Sequence, residues 1–192
     1  MQRMKDWGGC EVFLHQGNLA GEEDLALMGV EAIVNAANPW LCGGGGVDGA
    51  IHQAGGPTIL EECERLIRHR DGKSLQCGEA VMTGAGKLMV AHVIHAVGPV
   101  YYDMPHDEAC ERLGGTYRQC LELSRSHGIR TIAFPSLSTG AYGFPPDAAT
   151  PIALTAVKAY LEEYPAEWDR VVFCVFSLSH RELYEKAFAE LP

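Results

Sequence analysis

The stretch Asn35-Ala36-Ala37-Asn38-Pro39-Trp40-Leu41-Cys42-Gly43-Gly44-Gly45-Gly46-Val47-Asp48 decides how this chain is read. A short apolar run at 31–35 precedes the glycines and a helical pattern at 47–54 follows them, so the segment joins a strand to a helix. A second glycine-bearing loop, Ser136-Leu137-Ser138-Thr139-Gly140-Ala141-Tyr142-Gly143-Phe144, links a strand at 131–135 to a helix that begins at Pro146. In open α/β sheets ligands bind beyond the carboxyl ends of strands, where loops enter helices. Glycine lets backbone N–H groups come close to an anion, and the following helix N-terminus adds a favourable dipole. Neither loop is a P-loop, because no Gly-Lys-Ser/Thr follows the glycines. A four-glycine run by itself is more often a flexible turn, but two such loops at equivalent positions point to phosphate binding without any Lys or Arg.

Outward from these loops the chain alternates. Strands are predicted at 10–15, 79–83, 92–97 and 170–176, and helices at 58–69, 108–127, 146–164 and 179–191. Pro57, after Gly55 and Gly56, suits a helix start. The helix at 108–127 carries Leu113, Tyr117, Cys120, Leu121 and Ser124 on one face, with Gly128 as its stop signal. Residues 170–176 are apolar on both faces, which places them mid-sheet. Ser179 reads as a helix cap, with Glu182 completing a capping box. The alternation predicts a three-layer α/β/α sandwich.

At 192 residues the chain suits one domain, 1–192 with a core at about 10–191, and 47% hydrophobic against 21% charged residues is an ordinary globular balance. Residues 1–9 lack the apolar run of a secretory signal, and the longest apolar stretch, 171–176, is far short of the roughly 20 residues that span a bilayer. The expectation is a cytoplasmic monomer without membrane contact. Seven cysteines with no Cys-x-x-Cys pair argue against a disulfide framework or a thiolate zinc site. A net charge of −10 disfavours tracking of a nucleic-acid backbone, although a modified nucleic-acid end stays open as a ligand.

The first loop also carries Asn38 and Asp48. Asn38 offers donors and acceptors for a pair of sugar hydroxyls; ionised Asp48 can hold a ribose hydroxyl or orient a water. The bland reading of Asp48 is an acid in a helix's first turn. His52 lies one helical turn after Asp48, where a histidine lining the cleft wall or core is commoner than a catalytic one. His92 and His95 are three apart on a strand and so face opposite sides; no metal and no cofactor are expected.

Taken together, the first loop with Gly49-Ala50-Ile51-His52, then Ala54-Gly55-Gly56-Pro57, Gly78-Glu79-Ala80-Val81-Met82-Thr83, His92-Val93-Ile94-His95-Ala96-Val97-Gly98-Pro99 and the stretch from Ile132 through the second loop to Pro145 resemble the signature of MacroD-type macrodomains. The segments stand in the family's order and span nearly the whole chain. The resemblance implies a mixed, mostly parallel six-stranded sheet and a cleft for ADP-ribose. It implies that Asn38 and Asp48 are the catalytic pair at the distal ribose. It also implies that Gly45, Gly46 and Val47 line that end, and that Ser138, Thr139, Gly140, Ala141 and Tyr142 wrap the diphosphate. Phe144 would pack on the distal ribose, Phe176 would stack on adenine, and Asn18 with Leu19 would lie at the adenine end.

The activity it implies is removal of mono-ADP-ribose from Asp and Glu side chains and deacetylation of O-acetyl-ADP-ribose, with ADP-ribosylated proteins as partners. A non-catalytic ADP-ribose reader and an ADP-ribose-1″-phosphate phosphatase are the alternatives. No lysine sits in either loop, unlike the branch with a lysine nucleophile, and the glutamate-flanked Gly-Gly-Gly loop of poly-ADP-ribose glycohydrolases is absent, as are the zinc ligands of zinc-containing macrodomains. Two departures fall at the adenine end. Gly17-Asn18-Leu19 replaces the family's Gly-Asp-Ile/Leu, and the segment from Ala20 to Gly29 is several residues longer than usual.

Overall fold

The structure, a computed structural model, describes residues 1–21 and 29–191, so most of the long segment after Ala20 lies outside the described residues. Its strands are β1 (Gln2–Trp7), β2 (Cys10–Gln16), β3 (Ala32–Ala36), β4 (Ala80–Gly84), β5 (His92–Ala96), β6 (Thr131–Phe134) and β7 (Arg170–Val175). The helices are α1 (Gly46–Gly55), α2 (Pro57–His69), α3 (His106–Ser126), α4 (Pro146–Glu163) and α5 (Leu178–Glu190), with a 3₁₀ turn at Tyr101–Asp103.

The sheet runs β1-β2-β7-β6-β3-β5-β4. Its inner five strands are parallel, and β1 and β4 close the edges antiparallel. Alternation along β7 shows how the layers form. Val171, Phe173 and Val175 pack with Tyr117 of α3, Leu154 of α4 and Phe188 of α5. Val172 and Cys174 turn to the other face, with Ile51 of α1 and Ile59 and Cys63 of α2. A strand apolar on both faces therefore feeds two cores. The predicted α3 face is buried throughout, at Leu113, Tyr117, Cys120, Leu121 and Ser124, and Gly128 takes the left-handed φ of 71° just past the helix end. Among the described residues no helix is long and apolar enough to cross a membrane.

Two expectations need correction. The sheet has seven strands rather than six, because the polar N-terminus forms β1. Gly8 and Gly9, at φ 61° and 86°, make a two-residue turn that folds β1 back on β2 and buries Trp7 against Phe188. The cap of α5 is Ser177 rather than Ser179: Ser177 Oγ accepts from the His180 N–H at 3.2 Å, while Ser179 is already inside the helix with its hydroxyl 3.0 Å from that of Ser177.

Candidate functional site

A cavity of about 770 Å³ opens at the carboxyl ends of β2, β7, β6 and β3. Parallel strands deliver their following loops to one end of the sheet, so both glycine loops line it. Asn18, Leu19, Asn38, Gly45, Gly46, Val47, Asp48, Ser138, Thr139, Gly140, Ala141, Tyr142 and Phe176 all border the cavity. Phe144 does not. It is 1% exposed and packed on Tyr101 at 4.8 Å, because Phe144 N–H bonds back to Ser138 O and turns the ring into the core below the loop. The ring that borders the cavity there is Tyr142.

The first loop is organised by Asn38. Its Oδ1 accepts from Trp40 N–H at 3.1 Å and Cys42 N–H at 3.4 Å, and its Nδ2 donates to Gly43 O at 2.8 Å. One amide N–H remains for the cleft. Leu41 and Gly43 take positive φ to complete the turn. Gly45 then starts α1 without a side-chain cap, so the first-turn N–H groups at Gly46 and Val47 meet the cavity unshielded.

Asp48 sits in that first turn and is 5% exposed. The backbone N–H groups around it favour an anion, and Asn35 Nδ2 donates to its Oδ1 at 2.6 Å. His52 Nε2 lies 3.4 Å from the same oxygen, without hydrogen-bond geometry. The other oxygen, Oδ2, faces Gly44, where a Cβ would stand 3.0 Å from it.

In the second loop Ser138 holds a left-handed φ of 63°. Gly143 N–H closes on Gly140 O at 2.9 Å, and Thr139 Oγ1 donates to Ser136 O at 2.9 Å. Nothing lies within 4 Å of a Cβ placed on Gly140, so the loop's crest is open. Tyr142 is held protonated, its pKa raised first by burial and then by the charge of Asp48. Among the described residues lining the cavity there is no Lys or Arg. Any anion held here would be met by peptide dipoles.

At the far end Phe176 is 83% exposed and stands on the rim, outside the core. Asn18 borders the cavity, but its Oδ1 accepts the Ala20 N–H at 3.1 Å, so its acceptor is shared with a local turn. His180, at the start of α5, also lines this end and was not anticipated; a histidine just past a strand-to-helix junction was the available signal. Gly98 was missed as well. It lies where a Cβ would stand 2.2 Å from Ser138 Oγ, so β5's exit is shaved to admit the second loop. As expected His92 and His95 diverge, but His95 is fully buried beside Asn35, Cys63 and Thr83.

Residues 34–153 match the Macro domain family. A Macro domain-containing protein of Caldanaerobacter subterraneus subsp. tengcongensis is 48% identical over 181 residues, which is 94% of this chain and 97% of its own length. A Pantoea vagans protein named O-acetyl-ADP-ribose deacetylase 1 is 48% identical over 163 residues, 85% of this chain and 93% of its own. Among solved structures, a mutant Oceanobacillus iheyensis macrodomain with ADPR has a TM-score of 0.88 at 34% identity, over 98% of this chain and 96% of that one. On this fold, these loops and this likeness, the chain belongs to the Macro domain family.

Proposed function

We propose that this protein binds ADP-ribose and hydrolyses ADP-ribosyl esters, both O-acetyl-ADP-ribose and mono-ADP-ribose linked to Asp or Glu side chains. The observation that carries this is the carboxylate of Asp48, buried at an uncapped helix N-terminus. One of its oxygens is held by Asn35 and the other is turned to the glycine loop beside Asn38. The name of the Pantoea relative and the ADPR in the Oceanobacillus structure point the same way.

In this reading the diphosphate lies against the backbone N–H groups of 138–142, and adenine lies at the Phe176 end. The distal ribose meets Asn38 and Asp48. Ester cleavage needs a placed water rather than a strong nucleophile. Asp48 orients that water by accepting a hydrogen bond from it, the water oxygen bonds to the acyl carbon, and the carbon–oxygen bond to the ribose breaks. The ribose oxygen leaves as a hydroxyl, taking the proton given up by the water. Loop N–H groups stabilise the oxyanion that forms in between.

Single-turnover assays on a mono-ADP-ribosylated glutamate peptide and on O-acetyl-ADP-ribose test this. The expected result is release of free ADP-ribose and unmodified glutamate or acetate. Tight binding with no cleavage would reduce the protein to a reader. Phosphate release from ADP-ribose-1″-phosphate with both esters intact would make it a phosphatase.

A further inference from the structure

Behind Asp48 a chain of polar side chains crosses the buried end of the sheet. Asn35 and His95 are direct register partners on the parallel strands β3 and β5, and both are fully buried. Period-two alternation puts them on the same face as Ile33 and Val93, toward α1 and α2. Asn35 Nδ2 lies 2.6 Å from Asp48 Oδ1 and 3.1 Å from His95 Nδ1, and His95 Nε2 lies 2.9 Å from Thr83 Oγ1. Thr83 in turn donates its hydroxyl proton to Gly84 O at 2.9 Å.

One assignment of protons satisfies all of these contacts. With the Thr83 hydroxyl committed to Gly84 O, its oxygen accepts, so His95 carries its proton on Nε2 and leaves Nδ1 bare. Bare Nδ1 accepts one Asn35 amide proton, and the other goes to Asp48. The amide is thereby a double donor, and its Oδ1 is left buried without a partner. Flipped, the amide would set oxygen against the carboxylate at the same 2.6 Å. Burial, then the nearby His52, lower the His95 pKa to about 4, so the ring stays neutral and its bare nitrogen stays an acceptor.

We propose that His95 is a positioning residue: through the Asn35 amide it holds the Asp48 carboxylate in one orientation, without touching the ligand. This rests on the hydrolase reading only for its kinetic consequence. The same neighbourhood has a rival use, since His52, Cys63 and His95 place ligand atoms within 4.8 Å of one another. The geometry favours the relay, because both His95 nitrogens already have hydrogen-bond partners, Asn35 at 3.1 Å and Thr83 at 2.9 Å. The Cys63 thiol, pushed up to about 12 by burial and then by Asp48, keeps its proton.

The test has a spectroscopic arm and a kinetic one. Nitrogen NMR of the wild-type protein should show His95 protonated on Nε2 alone and unchanged from pH 5.5 to 9, with the Asn35 side-chain amide protons shifted by their two acceptors. The Nδ1–H tautomer, or titration in that range, would overturn the proposal whether or not the protein turns over. Titration with cobalt(II) should give no thiolate charge-transfer band; a band lost on Cys63→Ala would make this a metal site instead. His95→Leu removes the acceptor at similar size. It should lower kcat by up to ~100-fold with KM for O-acetyl-ADP-ribose unchanged, as for a misplaced catalytic group. His95→Gln, whose amide can accept from Asn35 and donate to Thr83, should restore most of kcat. A folded His95→Leu protein with wild-type kcat, or a Gln variant no better than Leu, would sink the relay. Absence of turnover in the wild-type protein would instead count against the hydrolase reading and leave the NMR result to decide.

Discussion

Gly49 presses its Cα against the carbonyl of Gly44: a Cβ on Gly49 would stand 2.5 Å from that oxygen. Helix α1 can therefore lie directly on the loop that leads into it, which is what brings Asp48 Oδ2 beside Gly44. Alanine ordinarily improves a helix interior over glycine by roughly 0.5–1 kcal/mol. Here Gly49→Ala should reverse that sign and cost about 1–3 kcal/mol of stability, because backbone must move to relieve the overlap. Urea denaturation would show it, and ADP-ribose affinity should fall with it. A stabilised variant would mean that the loop and helix are not in contact.

Asp48→Ala should abolish most ester hydrolysis while leaving ADP-ribose affinity within about tenfold, since a single polar contact contributes about 0.5–1.5 kcal/mol. Parallel turnover assays and calorimetry separate the two effects. Near wild-type turnover would remove Asp48 from the chemistry. Asn38→Ala should lower turnover less, but it also loosens the loop that the side chain ties together.

Gly140→Glu puts a carboxylate on the open crest of the second loop. With nothing within 4 Å of the added Cβ, the fold should survive by circular dichroism and thermal melting. Binding of ADP-ribose should vanish in calorimetry. Retained affinity would place the diphosphate elsewhere.

Phe176→Ala should leave stability within about 0.5 kcal/mol, as for other exposed side chains. Affinity should drop by about 1–3 kcal/mol if the ring stacks on adenine. Unchanged affinity would show that adenine does not use this ring.

His95 gives the protein an acid-side sensitivity. An unfolded histidine takes up a proton near pH 6.5, whereas the buried ring resists until about 4. The depressed native value costs the fold nothing above pH 6.5, where both states are neutral, and destabilises it progressively as pH falls toward 4, because only the unfolded chain takes up the proton. Between pH 7 and 4 the wild-type protein should lose about 3 kcal/mol more than His95→Gln does. Urea unfolding of both proteins across that range reads the difference, and parallel curves would contradict it.

What the residues disclosed in advance follows physical lines. Periodicity revealed α3 and β7 because their burial is a matter of which side chains repeat. The two loops were legible because glycine-bearing segments stand at two equivalent strand-to-helix junctions, where one alone would read as a flexible turn. β1 was missed because only Met4 and Trp7 of its six residues turn toward the core; the Gly8-Gly9 pair was the cue that could have found it. Phe144 and Phe176 are both aromatic residues in a strand-to-helix connection, and sequence alone does not say which is folded under and which is left on the rim. The link from Asp48 to His95 joins residues 47 positions apart. It depends on the register of β3 against β5, which no local pattern encodes.

An anion seat made of peptide groups, as proposed for the second loop, would have consequences for control. Acetylation or methylation of lysine would not disable it, because among the described residues no lysine lines the cavity. With no side-chain cation to be screened or to shed counter-ions, the grip on a diphosphate should vary far less with ionic strength than that of an arginine-lined groove. Such a site would be tuned only by moving its backbone, one glycine at a time.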